Sequence, residues 1–379
     1  MPPLAVFLVA CTPEADSVTV EPLHLSETPS ERGVPVGVRT FQDGDLSFEV
    51  WYPAPESLSS TVTDLADFSQ FVPPAFVERV GDFRFPDVDG RAVRDAPLRA
   101  TGERLPVVVF SHGFGGMRLQ SLDHVTHLAS RGYVVIATDH RGRSMPDLLP
   151  CVFSPPLEGC DLRGFGGEDP GVDGVRDALD WLERADAGDV PEAVFLKGAL
   201  DTGRAGLTGH SAGGGTTAEA GTLDTRFDAL LPMAAPATSP RDVPQALVSG
   251  TCDAIVEDAA IAEAAAAAGV TLVRVRGAGH LAFSDLCGLE LATLAEQLLA
   301  PRDDLNPTLY RSLLQLATDG CPGFAPTPAL ACGDAYLPIE EGWSVTREVA
   351  TRFFDAALRG QGEGLVVEER GALSVTQER

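Results

Sequence analysis

A serine held between two glycines, in Gly209, His210, Ser211, Ala212 and Gly213, directly follows residues 204–209, which have the character of a short buried strand. A chain that turns from strand to helix within one residue forces that serine into strained backbone geometry, and side chains at the flanking positions would collide there. The serine hydroxyl is then left bare at the strand tip. Such an elbow requires a strand feeding a helix, which is the unit of a parallel sheet.

The downstream sequence supplies partners for a serine nucleophile in the order Ser, Asp, His. A serine hydroxyl near neutral pH needs a hydrogen-bonded imidazole to take its proton, and a carboxylate to fix the imidazole tautomer. Residues 245–249 form an apolar run ending in Gly250, Thr251, Cys252 and Asp253, so Asp253 is the candidate acid beyond a strand end. Residues 271–275 alternate similarly and lead through Gly277 and Gly279 to His280, the candidate base. An oxyanion also needs fixed donors. The backbone N–H of Ala212, after the serine, and that of Phe114, in the His112-Gly113-Phe114-Gly115-Gly116 loop after the apolar strand 107–111, are the candidates.

Other titratable residues have simpler readings. His112 and His210 flank the site as loop-orienting residues, and Asp139 with His140 reads as a structural pair. His124 and His127 fall on an expected helix as surface or cleft-wall residues. Asp285 lies five positions past His280 and suits a loop brace better than the acid.

Five runs, at 111–116, 128–135, 139–144, 209–213 and 280–285, together with Glu49-Val50-Trp51-Tyr52-Pro53, resemble bacterial relatives of the type II platelet-activating factor acetylhydrolases and the bacterial cutinase-like polyesterases. The resemblance runs from about Gly33 to Leu358. It implies an α/β-hydrolase fold, with a mainly parallel central sheet, helices on both faces and cleft-shaping insertions. It further implies a serine carboxylic-ester hydrolase working through an acyl-enzyme on short-chain, oxidised-acyl or polyester-like esters, without cofactor or metal. Ser211, Asp253 and His280 carry over as the triad, and Phe114 and Ala212 as oxyanion donors. An amidase or peptidase on the same triad, or a non-catalytic surface lipoprotein, are the alternatives. A dienelactone hydrolase is disfavoured, because its elbow carries cysteine where this chain has Ser211.

With 379 residues and no internal repeat, the expected organisation is a signal and linker over 1–32, a catalytic domain over 33–360 with insertions at about 54–97 and 288–336, and a polar tail over 361–379 in a loose hairpin. Helices are expected over 120–130, 172–185, 211–221, 255–268 and 345–358, and within the second insertion over 289–299 and 308–318. Phe68, Phe71, Phe76, Phe83 and Phe85 make the first insertion a packed excursion walling an acyl pocket. The second insertion reads equally as a lid or a structural extension.

Leu8, Val9, Ala10 and Cys11 match a bacterial lipobox, making Cys11 the lipidation candidate, although the apolar run before it is short and lacks a leading basic residue. Setting Cys11 aside leaves six of the seven cysteines, which suits disulfides and an extracytoplasmic setting. Six cysteines admit many pairings. Adjacency of the acid and base loops favours Cys252–Cys287, leaving Cys151–Cys160 and Cys321–Cys332 as local pairs. A net charge of −27 disfavours nucleic acid as a partner. A small-molecule or polymeric ester is the expected partner, and any membrane attachment would be through lipid at Cys11.

Overall fold

The computed structural model describes residues 20–23, 25–81, 85–165, 169–289, 304–308, 332, 336–362, 364–365 and 373–377. The strands in chain order are β1 (Val36–Asp43), β2 (Leu46–Pro53), β3 (Leu65–Ala66), β4 (Val88–Asp89), β5 (Val93–Arg94), β6 (Leu105–Ser111), β7 (Val134–Thr138), β8 (Leu200–His210), β9 (Phe227–Met233), β10 (Ala246–Gly250), β11 (Thr271–Val275) and β12 (Leu373–Gln377). The helices are α1 (Pro74–Val80), α2 (Leu122–Ser130), α3 (Met145–Leu148), α4 (Pro170–Ala187), α5 (Ala212–Leu223), α6 (Asp258–Ala268) and α7 (Ile339–Arg359).

Ten strands form one sheet in the order β12-β11-β10-β9-β8-β6-β7-β2-β1-β5, and β3 pairs separately with β4. The block from β7 through β6, β8, β9 and β10 to β11 is parallel, flanked by antiparallel β2 and β12. This is the α/β-hydrolase fold that the elbow and its strand-loop partners imply.

Strand β6 shows why both faces are covered. Its residues are all buried, and they alternate: Val107 and Val109 join one core with Val175, Leu179 and Leu182 of α4, while Val108 and Phe110 join the other with Leu122 and Val125 of α2 and Phe354 of α7. A strand buried on both faces has no polar alternation to show, so it reads as a continuous apolar run. Helix α4 opens with Pro170 in its first turn and with the Asp169 carboxylate accepting the Gly171 N–H at 2.9 Å, and it stops at Gly188 in the left-handed region.

The first insertion is packed. Phe68, Phe71, Phe76 and Phe85 are buried in the core on the α2 side, and β5 pairs in parallel with β1. Phe83 lies outside the described residues, as do the helices expected over 289–299 and 308–318 and the lipobox at Cys11. The part of the second insertion described at 304–308 docks near α1: Asp304 pairs with Arg79 at 2.6 Å, and Leu305 bridges to Phe153.

In the tail, the described residues 373–377 form β12, which pairs antiparallel with β11 and occupies the sheet edge; the hairpin expected there falls mostly on residues outside those described. One expectation is corrected. Cys287 bonds to Cys332, 45 positions away, and Cys252 is disulfide-bonded as well, so neither Cys252–Cys287 nor Cys321–Cys332 forms. Cys151 is bonded to Cys160. Cys287 itself lies in a short 3-10 turn (Leu286–Leu289) that follows the base loop.

Candidate active site

Strand β8 delivers Ser211 at φ 58° and ψ −121°, a conformation held by its N–H donating to the Met233 carbonyl of β9 at 2.9 Å. The two glycines of the motif are needed because the turn presses backbone on backbone. A Cβ on Gly209 would sit 2.3 Å from the Gly213 carbonyl oxygen, and one on Gly213 would sit 2.0 Å from that of Ser111. No side chain fits either place. Helix α5 starts at the next residue, with Ala212 in its first turn.

His280 joins this serine to Asp253. The His280 Nε2 lies 2.8 Å from Ser211 Oγ, and its Nδ1 lies 2.8 Å from Asp253 Oδ2. The other carboxylate oxygen of Asp253 accepts the N–H groups of Ile255 at 3.0 Å and Val256 at 2.8 Å. An acid accepting on both oxygens is aimed at the imidazole and cannot swing away. Its side chain is fully buried.

Backbone contacts, not a disulfide, bring the acid and base loops together. Strands β10 and β11 run in parallel register, and beyond them Thr251 N–H donates to the Val275 carbonyl at 3.1 Å and Cys252 N–H to the Ala278 carbonyl at 2.9 Å. The Gly277 N–H donates to Thr251 Oγ1 at 3.0 Å. Gly250 permits the approach, since a Cβ there would be 2.4 Å from the Ala278 oxygen.

The loop after β6 lies against the elbow: a Cβ on Gly113 would be 3.2 Å from the Ser211 Cβ. Phe114 follows it with 41% of its surface exposed. Below the loop lies a buried polar layer. His112 accepts the His140 N–H on Nε2 at 3.0 Å, so its Nδ1 carries the proton that meets the Gly113 carbonyl at 2.7 Å. Arg143 donates to Ser111 Oγ and to the His112 carbonyl, each at 3.1 Å, and pairs with Asp169. Burial, with the Arg143 charge beside it, pushes His112 down to about 3, and the same two causes hold His140 well below the usual imidazole range. His210 is likewise pushed to about 3 by burial and by His280. These imidazoles are neutral parts of the scaffold.

Asp285 stands apart from the Ser-His-Asp line. Its carboxylate accepts Arg91 Nη1 at 2.6 Å and the Asp123 N–H at 2.9 Å. His124 and His127, expected at a surface, are buried on α2, which α7 covers; His127 Nε2 is 2.8 Å from Thr351 Oγ1. Gln120 escaped the sequence reading. Its side chain contacts both Gly113 and His210, and the glycine at 116 was the available signal, because a Cβ there would be 2.0 Å from the Gln120 Oε1. Among the described residues, no group of three or more His, Cys, Asp or Glu side chains could hold a metal ion.

Residues 38–147 match the family described as platelet-activating factor acetylhydrolase, isoform II. That segment runs from β1 to α3 and contains Phe114, but not Ser211, Asp253 or His280. Platelet-activating factor acetylhydrolase of Cavia porcellus is 28% identical over 213 residues, covering 49% of this chain and 46% of that protein. Its counterpart in Canis lupus familiaris is 34% identical over 103 residues, covering 27% of this chain and 22% of that protein. The chain thus spans less than half the length of either relative. Ferulic acid esterase from Streptomyces cinnamoneus superposes with a TM-score of 0.54 at 22% identity, over 90% of this chain and 96% of the other, a likeness of fold. The chain is an α/β-hydrolase whose sequence is similar to the type II platelet-activating factor acetylhydrolases.

Proposed function

We propose that this protein is a serine carboxylic-ester hydrolase acting through an acyl-enzyme, with Ser211 as nucleophile, His280 as general base and Asp253 as orienting acid. The observation that carries the reading is the unbroken line from Ser211 Oγ through both His280 nitrogens to Asp253. Because Asp253 accepts at Nδ1–H, the lone pair of Nε2 faces the serine proton. As Oγ attacks the ester carbonyl, Nε2 takes that proton and then returns it to the leaving alkoxide; water repeats the cycle on the acyl-enzyme. The carbonyl oxygen becomes an oxyanion, for which the Ala212 and Phe114 N–H groups are the donors we assign.

Short-chain, oxidised-acyl or polyester-like esters are the substrate classes proposed, and the unit we assign to catalysis is 33–360. The Cys151–Cys160 and Cys287–Cys332 bonds support an extracytoplasmic setting, and residues 8–11 support lipid attachment at Cys11. The test is an organophosphonate label read by mass spectrometry, beside a panel of p-nitrophenyl esters of rising chain length with amide and polyester substrates. We expect one adduct, on Ser211, turnover of esters ahead of amides, and a loss on the order of 10⁴-fold in Ser211→Ala. Labelling at another residue sinks the assignment, and faster amide than ester turnover replaces it with an amidase. The same spectra read a diacylglyceryl group on Cys11, whose absence from membrane-fraction protein removes the lipoprotein reading.

A further inference from the structure

Gln120 sits where three loops of the site meet, and each of its polar atoms is engaged. Its Oε1 accepts the Gly113 N–H at 2.9 Å, on the loop that leads to Phe114. Its Nε2 is 2.8 Å from His210 Nδ1, and His210 Nε2 is 2.7 Å from the carbonyl oxygen of His280. Its own backbone carbonyl accepts the Asp285 N–H at 2.9 Å. All of this is buried.

The polarity of this chain of hydrogen bonds is fixed from one end. A backbone N–H can only donate, so the amide oxygen of Gln120 must face Gly113 and its NH₂ must face His210. His210 then accepts on Nδ1, carries its proton on Nε2 and donates it to His280. No other arrangement satisfies every member. The imidazole is neutral in this state, and its tautomer is set by Gln120 in the way that a carboxylate sets the tautomer of His280.

We infer that Gln120 is a positioning residue that fixes the oxyanion loop and the base loop together, through a neutral His210 of imposed tautomer. The inference rests on the hydrolase reading above. Releasing the Gly113 N–H frees the His112–Gly113 peptide, next to the one that carries the Phe114 N–H, and releasing the His280 carbonyl lets the base shift against Ser211. Both matter to the transition state, and neither touches a bound ester. The loss therefore falls on kcat and leaves KM alone.

Two substitutions separate hydrogen bonding from packing. Gln120→Met keeps the volume and removes both side-chain hydrogen bonds. Gln120→Glu keeps the acceptor for Gly113 and, when ionised, presents a second acceptor to His210, which must then take a proton on Nδ1, either by becoming imidazolium or by giving up its bond to His280. With p-nitrophenyl acetate as substrate, we expect both variants to lose roughly 10- to 100-fold in kcat with KM within about threefold. Heteronuclear NMR of the wild-type imidazole nitrogens should find His210 in the Nε2–H form without titration between about pH 5 and 8, and Gln120→Glu should protonate Nδ1. A folded Gln120→Met variant with kcat within twofold of wild type would overturn the inference, as would an Nδ1–H or titrating His210 in the wild type. Should the wild type neither turn over ester nor be labelled at Ser211, the hydrolase reading is what fails, and the tautomer measurement still decides the relay. That measurement needs no variant, so a misfolded Gln120→Met leaves the question decidable.

Discussion

Asp253 and Asp285 are both buried carboxylates close in sequence or space to His280, and their neighbours divide the work. Asp253 meets the imidazole and two backbone N–H groups, whereas Asp285 meets Arg91 and the start of α2. Asp253→Asn should lower kcat by several orders of magnitude with little change in melting temperature, since it disturbs a tautomer and leaves the packing intact. Asp285→Asn should change kcat far less; steady-state kinetics on both variants checks this, and reversed effects would exchange the two roles. Ser211, Asp253 and His280 were legible because each requirement leaves a local mark, a glycine-flanked serine or a polar residue just past a strand end. Gln120 left no comparable mark. Its function depends on atoms from positions 113 and 210, which only the folded chain brings to it.

At the scale of elements, the first insertion reaches the base loop. Arg91, in the turn between β4 and β5, pairs with Asp285 across 194 positions, and its guanidinium stacks 4.6 Å from the Trp343 ring of α7. Both charges are mostly buried, at 15% and 2% side-chain exposure. Removing one member leaves the other unpaired in a poor solvent, so Arg91→Met should cost about 3 kcal/mol in urea unfolding. Asp285→Leu added to it should recover part of that loss, and a strictly additive double-mutant cycle would refute the coupling. The phenylalanines announced that this insertion packs, but nothing in its sequence pointed to the histidine loop as its target. Disulfide pairing was hidden for a similar reason. The order of strands showed that the acid and base loops adjoin, yet Cys287 pairs with Cys332, 45 positions further on, a contact that no local pattern announces. The last helix was legible from 345 to 358 and extends to 339–359, because the added turn holds Trp343, which donates to the Ser284 carbonyl at 3.1 Å.

At the scale of the whole molecule, five histidines besides His280 are buried among the described residues: 112, 124, 127, 140 and 210. Burial pushes His112 and His210 to about 3 and His124 to about 4, and holds His127 and His140 well below the ordinary value. An unfolded chain takes up protons at these rings near pH 6.5, where the folded chain does not. Their contribution to stability is therefore complete above that pH and is lost as pH falls toward the folded values. Each is worth about 1.4 kcal/mol per pH unit within the window. Asp285, raised to about 6 by burial and by Asp123 against the pull of Arg91, and Asp139, raised by burial, act with the opposite sign, since the folded form gains their protons first. Asp177 and Asp228, also raised by burial, add to these two, but five rings outweigh the four carboxylates, so urea midpoints should fall between pH 7 and pH 5, with net proton uptake on unfolding; a flat or rising midpoint would contradict it. The brace on the base loop also has a consequence for synthesis. Trp343 lies 59 residues after the Ser284 it holds, so a nascent chain that has already exposed all of Ser211, Asp253 and His280 still lacks the helix that secures the last of them. On the proposed hydrolase reading, a chain terminated before Trp343 should therefore be inactive toward esters.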